Sequence, residues 1–355
     1  MTRLSRRSPP PPPTRSRLDF MTAAARSRHT GGATITGTGM ALPSRVVTNA
    51  DMEKIVDTTD AWITQRTGIR QRYIAENGTT ASVLATDATR QALGNAKLEP
   101  GELDLLICAT MTPDMICPAT ACQIVANLGA TPCGAMDVNL ACSGFVAALN
   151  MAANFVASGF YKNVAVVGAE QLSSIMDWTD RSTCILFGDG AAAAIVSATD
   201  DAEQGCLYQS IHSDGTRWQE LYCPRNAADV PEGAVFSGTA NTLQMNGREV
   251  YKFAVTTLQK TIKQAMDACN LTVDDVKVVI PHQSNARIIG SAREKLAFDE
   301  DKIYLNLDRY GNTSAASVGL CLHELNEAGR LERGDKVIFV ALGGGLTWAS
   351  SVWQL

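Results

Sequence analysis

From residue 33 onward, short apolar runs alternate with longer stretches whose apolar positions recur at helical spacing. The β-branched run at 33–39 reads as a strand entering a glycine turn, and 82–96 as a helix with Val83, Leu84, Ala88 and Leu93 on one face. A buried strand at 105–110, a helix at 119–128 and a strand at 135–138 follow. The segment 145–157 is apolar on every side, which predicts a fully buried helix. Strands at 164–167 and 191–196 flank a glycine turn at 187–190, and the polar stretch 200–203 closes this half. The second half repeats the order: helix 250–268, strand 276–280, helix 286–296, strand 303–305, helix 315–328 and strand 337–341. Three glycines and a last strand to Trp353 complete it. When the halves are overlaid, the segment before the 145–157 helix matches the one around Asn312, and the turn at Gly188 matches that at Gly343. The pattern predicts an α/β fold made of two duplicated halves with layered sheets, spanning 31–204 and 205–355.

Composition sharpens this in two places. An apolar content of 45% with 28 glycines suits close helix–sheet packing. Ten cysteines are scattered with no CxxC pair, and the four histidines have no metal-ligand spacing, so neither a disulfide framework nor a zinc site is expected. Residues 1–30 stand apart: rich in Arg, Ser and Pro, with the run Pro9 to Pro13, they cannot bury a core and should be disordered. They carry +6 (seven arginines against Asp19), so with a net charge of −5 the remainder is −11. That acidic body argues against nucleic-acid binding by the folded part. The extension fits a transit peptide, a nucleic-acid arm, or a reading frame whose true start is Met21; the proline run suits an amphipathic helix badly and favours the last. No apolar run approaches the 18 or so residues of a membrane span.

The candidate chemistry sits at element ends. Cys142, in Asn139-Leu140-Ala141-Cys142-Ser143-Gly144-Phe145, falls where a strand turns into the buried helix. The helix N-terminus there offers unpaired N–H groups and a positive dipole end, both favouring a thiolate nucleophile. His282 follows a strand, Asn312 lies in a Gly-Asn-Thr turn, and Gly343 to Gly345 lie between strands. Singly, these read as a core histidine, a turn residue and a tight hairpin. Together, in this order, they read as one site.

The strings around these residues carry a family resemblance. Residues 139–145, 281–288 (Pro-His-Gln-Ser-Asn-Ala-Arg-Ile), 310–317 (Tyr-Gly-Asn-Thr-Ser-Ala-Ala-Ser) and 343–348 (Gly-Gly-Gly-Leu-Thr-Trp) resemble β-ketoacyl-acyl-carrier-protein synthase III. This is the thiolase-fold condensing enzyme that starts type II fatty-acid synthesis; the resemblance runs from about residue 31 to 355 and implies a layered αβαβα arrangement of the two halves. It implies that Cys142 takes an acyl group from acyl-CoA. His282 and Asn312 would then hydrogen-bond the thioester carbonyl of malonyl-acyl carrier protein as it loses CO2. The backbone N–H groups of Cys142 and Gly344 would hold the oxyanion, glycine at 344 allowing the backbone to come close.

By the same resemblance the segment 57–70 binds CoA: Trp62 on the adenine with Arg181 on its other face, Arg66 on phosphate, Thr58 on the nucleotide part. Asn285 would meet the pantetheine arm. Arg287, Arg293 and Lys295 would form a basic face for the acidic carrier protein, although charge alone reads equally as a solvated helix. The resemblance further implies a homodimer in the cytoplasm with no resident cofactor or metal. Two positions depart from the pattern. Cys117 stands where acetyl-selective members have a bulky aromatic closing the acyl pocket from the neighbouring subunit, which leaves room for a longer or branched starter. Leu140 replaces a small residue. A papain-like protease, a thiolase and a chain-elongating synthase fit less well: the first lacks its flanking signature, the second its second cysteine, the third its second histidine. A condensing enzyme or acyltransferase of secondary metabolism would keep every motif, and a non-catalytic scaffold is disfavoured by the intact Cys142, His282 and Asn312.

Overall fold

The computed structural model describes residues 32–76, 78–201 and 203–355; the Arg- and Pro-rich extension at 1–30 lies outside them. In the first half, β1 (Gly32–Ala41) leads to a hairpin of β2 (Arg45–Thr48) and β3 (Gln71–Ile74) that brackets α1 (Asn49–Met52) and α2 (Asp60–Thr67). Then come α3 (Ala81–Ala96), β4 (Leu105–Ala109), α4 (Thr120–Leu128), β5 (Gly134–Val138), α5 (Gly144–Ala157), β6 (Asn163–Glu170) and β7 (Gly190–Thr199). The second half opens on β8 (Gly205–Ser213) and a short pair, β9 (Leu221–Tyr222) and β10 (Gln244–Met245). It continues through α6 (Gly247–Ala268), β11 (Val278–Pro281), α7 (Ala286–Leu296), α8 (Leu307–Tyr310), α9 (Ala316–Glu327), β12 (Lys336–Gly343) and β13 (Thr347–Gln354).

The duplication holds strand for strand. The first sheet runs β1-β7-β6-β4-β5 and the second β8-β13-β12-β11. In both, the central hairpin strand (β7, β13) is antiparallel to its two neighbours, and the next pairing is parallel. The equivalent of β5 is a single parallel bridge from Ile303 to Val279, not the strand predicted at 303–305. The reason is local: the N–H groups of Asn306 and Leu307 donate to Gln283 Oε1 and leave the ladder. The helices fall at matching points, α3 with α6, α4 with α7 and α5 with α9.

Five layers result. Helices α5 and α9 lie between the sheets, packing Phe145, Leu149, Val318 and Leu322 against Ile107 and Val166 of one sheet and Ile280 and Phe339 of the other. Helices α3 and α4 cover the outer face of the first sheet, and α6 and α7 that of the second. Alanines 85, 88 and 92, not Val83, face the sheet from α3, and Val83 is 40% exposed. Glycines in β1 dictate this: a Cβ at Gly39 would lie 2.2 Å from Ala88 O, so only small side chains fit between. Strand β8 and the β2–β3 hairpin went unread in the sequence; β8 is an edge strand, half-exposed, and lacks the apolar run of its neighbours.

Candidate active site

Cys142 occupies a single 3-10 turn, Ala141–Ser143, between β5 and α5. Ala141 enters it at φ +45, a left-handed conformation that costs a non-glycine residue roughly 1–3 kcal/mol and persists where surroundings over-determine it. Ser143 N and Oγ return to Leu140 O at 3.1 and 2.7 Å, and Thr347 Oγ1 lies 2.6 Å from Ser143 Oγ. The β12–β13 turn presses on the same spot: a Cβ at Gly343 would lie 2.7 Å from Cys142 N. Gly343 thus makes a close approach of its own, while Gly344, where a Cβ would lie 3.1 Å from Leu221 O, lines a cavity with Cys142.

His282 continues β11, its N–H donating to Val340 O at 2.8 Å. Its Nδ1 lies 2.7 Å from Ser317 Oγ, an oxygen that already accepts the Gln283 N–H. When the serine proton goes to Nδ1, the ring hydrogen stands on Nε2. Burial pushes the His282 pKa down to about 3, so the ring is a neutral donor at working pH. Asn312 is stitched to the first half, its N–H donating to Leu186 O (2.8 Å) and its carbonyl accepting from Gly188 N (3.0 Å). Its side-chain Oδ1 accepts the Ser314 N–H at 2.9 Å, which ties off the acceptor and leaves the amide N–H groups for the cavity.

That cavity, about 120 Å³, is lined by Cys142, His282 and Asn312 together. Its walls are apolar: Leu186, Phe187, Leu221, Met245, Val250 and Ile288 among them. A smaller cavity of about 50 Å³ also reaches Cys142, between Met111, Phe187, Leu221, Leu243, Ser314 and Gly344. Sequence reading gave these walls no role. Phe187 was legible only as part of a turn, and Leu221, Leu243 and Met245 are isolated apolar residues in a polar stretch. Burial works against the thiolate that the helix terminus favours: it pushes the Cys142 thiol up to about 12, a hydrogen bond from Ser314 opposes the rise, and the Glu170 carboxyl adds to it.

A sequence-family profile described as 3-oxoacyl-[acyl-carrier-protein (ACP)] synthase III matches residues 136–215, and its C-terminal counterpart matches 266–355. The β-ketoacyl-[acyl-carrier-protein] synthase III of Caldanaerobacter subterraneus subsp. tengcongensis is 48% identical over 321 residues, 90% of this chain and 97% of that protein. This chain belongs to the β-ketoacyl-acyl-carrier-protein synthase III family. Among solved structures, the synthase III of Aquifex aeolicus VF5 aligns with a TM-score of 0.85 at 42% identity, covering 91% of this chain and all of that one (100%). The priming β-ketosynthase of the R1128 polyketide pathway aligns with a TM-score of 0.86 at 34% identity, covering 94% and 98%.

The remaining residues that resemblance to synthase III had singled out are only partly brought together. Trp62, on a helix capped by Thr59 Oγ1, has Arg66 and Arg181 over its ring at 5.7 and 5.5 Å. A base stacked between Trp62 and Arg181 needs roughly 7 Å, two van der Waals contacts, so Arg181 must swing away from its bond to Asp57 O to admit one. Thr58 Oγ1 is buried beside them with no hydrogen-bond partner. Asn285 lines the large cavity, but its amide is engaged: Nδ2 donates to Arg66 O (3.1 Å) and Oδ1 caps α7. The expected basic face is not one face. Arg287 lies over Tyr251, whereas Arg293 pairs with Glu300 at 3.5 Å and, two positions from Lys295, points nearly opposite to it. Cys117 is exposed and lines neither cavity of its own chain.

Proposed function

We propose that this chain carries out the decarboxylative condensation of an acyl-CoA starter with malonyl-acyl carrier protein, giving 3-ketoacyl-acyl carrier protein, CoA and CO2 at the start of fatty-acid synthesis. The observation that carries the reading is one cavity holding Cys142 with two neutral donors, His282 and Asn312, each with its acceptor atom tied off. Cys142 takes the acyl group as a thioester. His282 Nε2–H and the Asn312 amide then donate to the malonyl thioester oxygen, where negative charge develops as CO2 leaves. The resulting carbanion attacks the acyl group on Cys142, and the N–H groups of Cys142 and Gly344 hold the second oxyanion. Neutral donors suit this order of events, because a carboxylate in either place would repel the enolate.

Trp62, Arg66, Thr58 and Arg181 would hold the nucleotide of CoA, with Asn285 beside its pantetheine arm. Arg287 and Lys295 are the exposed cations on α7 for an acidic carrier protein. We assign the halves to 31–204 and 205–355, and a cytoplasmic setting suits the ten free thiols. No resident cofactor is needed, since both thioesters are substrates. A homodimer is argued from β5, which among the described residues has β4 on one side and no strand on the other, and from Ile116, 80% exposed.

Intact-protein mass spectrometry with a panel of acyl-CoAs tests the reading. An adduct on Cys142 that malonyl-acyl carrier protein discharges as a 3-ketoacyl product is expected, and its absence in Cys142→Ala. An adduct that is never discharged would favour the second reading, a starter or acyl-transfer enzyme of secondary metabolism. Likeness to the R1128 priming ketosynthase keeps that reading in view.

A further inference from the structure

Glu170 is the last residue of β6 and fully buried, and among the described residues it pairs with no Lys or Arg. Its Oε2 accepts Thr112 Oγ1 (2.6 Å) and Met111 N (3.2 Å). Its Oε1 accepts Ser314 Oγ at 3.0 Å. Ser314 is held at φ +47 between Asn312 and α9, its hydroxyl also faces Met111 Sδ at 3.7 Å, and it lines the small cavity of about 50 Å³ together with Cys142. The serine proton goes to the carboxylate, so its lone pairs are available to the thiol. Thiol, hydroxyl and carboxylate stand in series.

We propose that Glu170 takes the Cys142 proton through Ser314 when the acyl group is transferred from CoA. The Sγ proton moves to Ser314 Oγ as Ser314 passes its own proton to Glu170 Oε1. Sγ, now a thiolate that accepts from Ser314, attacks the thioester carbonyl of acyl-CoA. Collapse of the tetrahedral adduct breaks the bond to the CoA sulfur. That sulfur, on the same carbon as Sγ, takes the proton back from Glu170 through the same hydroxyl, leaving CoA thiol, acyl-Cys142 and a carboxylate. Burial raises Glu170 to about 7, which suits a group that must gain and lose a proton near neutrality. An acceptor one hydroxyl away gives the Sγ proton a place to go as the thioester is attacked.

The inference rests on Cys142 being the acylated nucleophile, and its test separates the two. Single-turnover acylation by acyl-CoA is measured beside malonyl discharge of acyl-enzyme preformed by long incubation. Glu170→Gln and Ser314→Gly, the latter compatible with the positive φ, should each slow acylation by on the order of 10²–10⁴ and leave discharge within a few fold. The double variant should be no slower than either single one. A structural role for Glu170, holding the Asn312 loop, would slow both half-reactions alike. Equal losses in the two, or Glu170→Gln acylating within about threefold of wild type, overturns the relay. Should Glu170→Gln not fold, Ser314→Gly decides by the same split. Wild type that never acylates would instead overturn the nucleophile.

Discussion

At the scale of single residues, the site depends on which atom of each side chain is already engaged. Asn312→Asp keeps the shape but puts a charge where the enolate forms. Malonyl decarboxylation should fall by on the order of 10²–10³ while Cys142 acylation by acyl-CoA persists, both read by single-turnover assays. His282 makes a second prediction, about stability. Its folded pKa, about 3, lies below the ordinary 6.5, so the unfolded chain binds the extra proton between those values. The stability it contributes is complete above pH 6.5 and is lost as pH falls toward 3. Urea midpoints taken from pH 6.5 to 5 should therefore show wild type losing ~2 kcal/mol more than His282→Gln. Cys142, His282 and Asn312 were legible because each sits in a distinctive local string. The upward push on the Cys142 thiol was not, since it depends on burial by side chains from both halves, nor was the approach of Gly343 to Cys142 N, a contact some 200 positions away.

Among the elements, the two strand-to-helix junctions that meet at the core share a device. Ala141 precedes α5 at φ +45 and Ser314 precedes α9 at φ +47, so each half turns its central helix through one left-handed residue. One junction presents the nucleophile, the other the Asn312 donor. The Gly343 contact makes this testable: Gly343→Ala pushes a methyl toward Cys142 N and should cut acylation by on the order of 10²-fold with the fold intact by circular dichroism. Gly94→Ala is the contrast. Exposed on α3 with nothing near its Cβ, it should raise stability by roughly 0.5–1 kcal/mol in urea titrations without touching activity. Elements with strong apolar periodicity (α5, α7, β4, β12) were readable to within a residue or two. Elements whose N–H groups are claimed by side chains, as beyond Ile303, or whose edges face outward, as in β8, carry no such pattern.

For the molecule as a whole, the duplicated halves have diverged in duty: the first supplies the nucleophile and the second both donors. The proposed homodimer, through the edge of β5 and the exposed Ile116, is checked by Ile116→Asp, which should move the protein toward monomer in sedimentation velocity. The fold, its αβαβα layering included, was readable at this scale because duplication doubles every signal and the family strings imply the layers; the tight α3–β1 packing was not, since small residues such as Gly39 and Ala88 act only where they meet. The clasp of Thr347 on the Cys142 turn spans 204 positions. A ribosome adding 5–20 residues per second needs roughly 10–40 s to make that length. Through that interval the turn bearing the thiol exists without its buttress, and the donors His282 and Asn312 join the chain only in its last third. The growing chain therefore stays chemically silent beside a pool of reactive thioesters until it is almost finished.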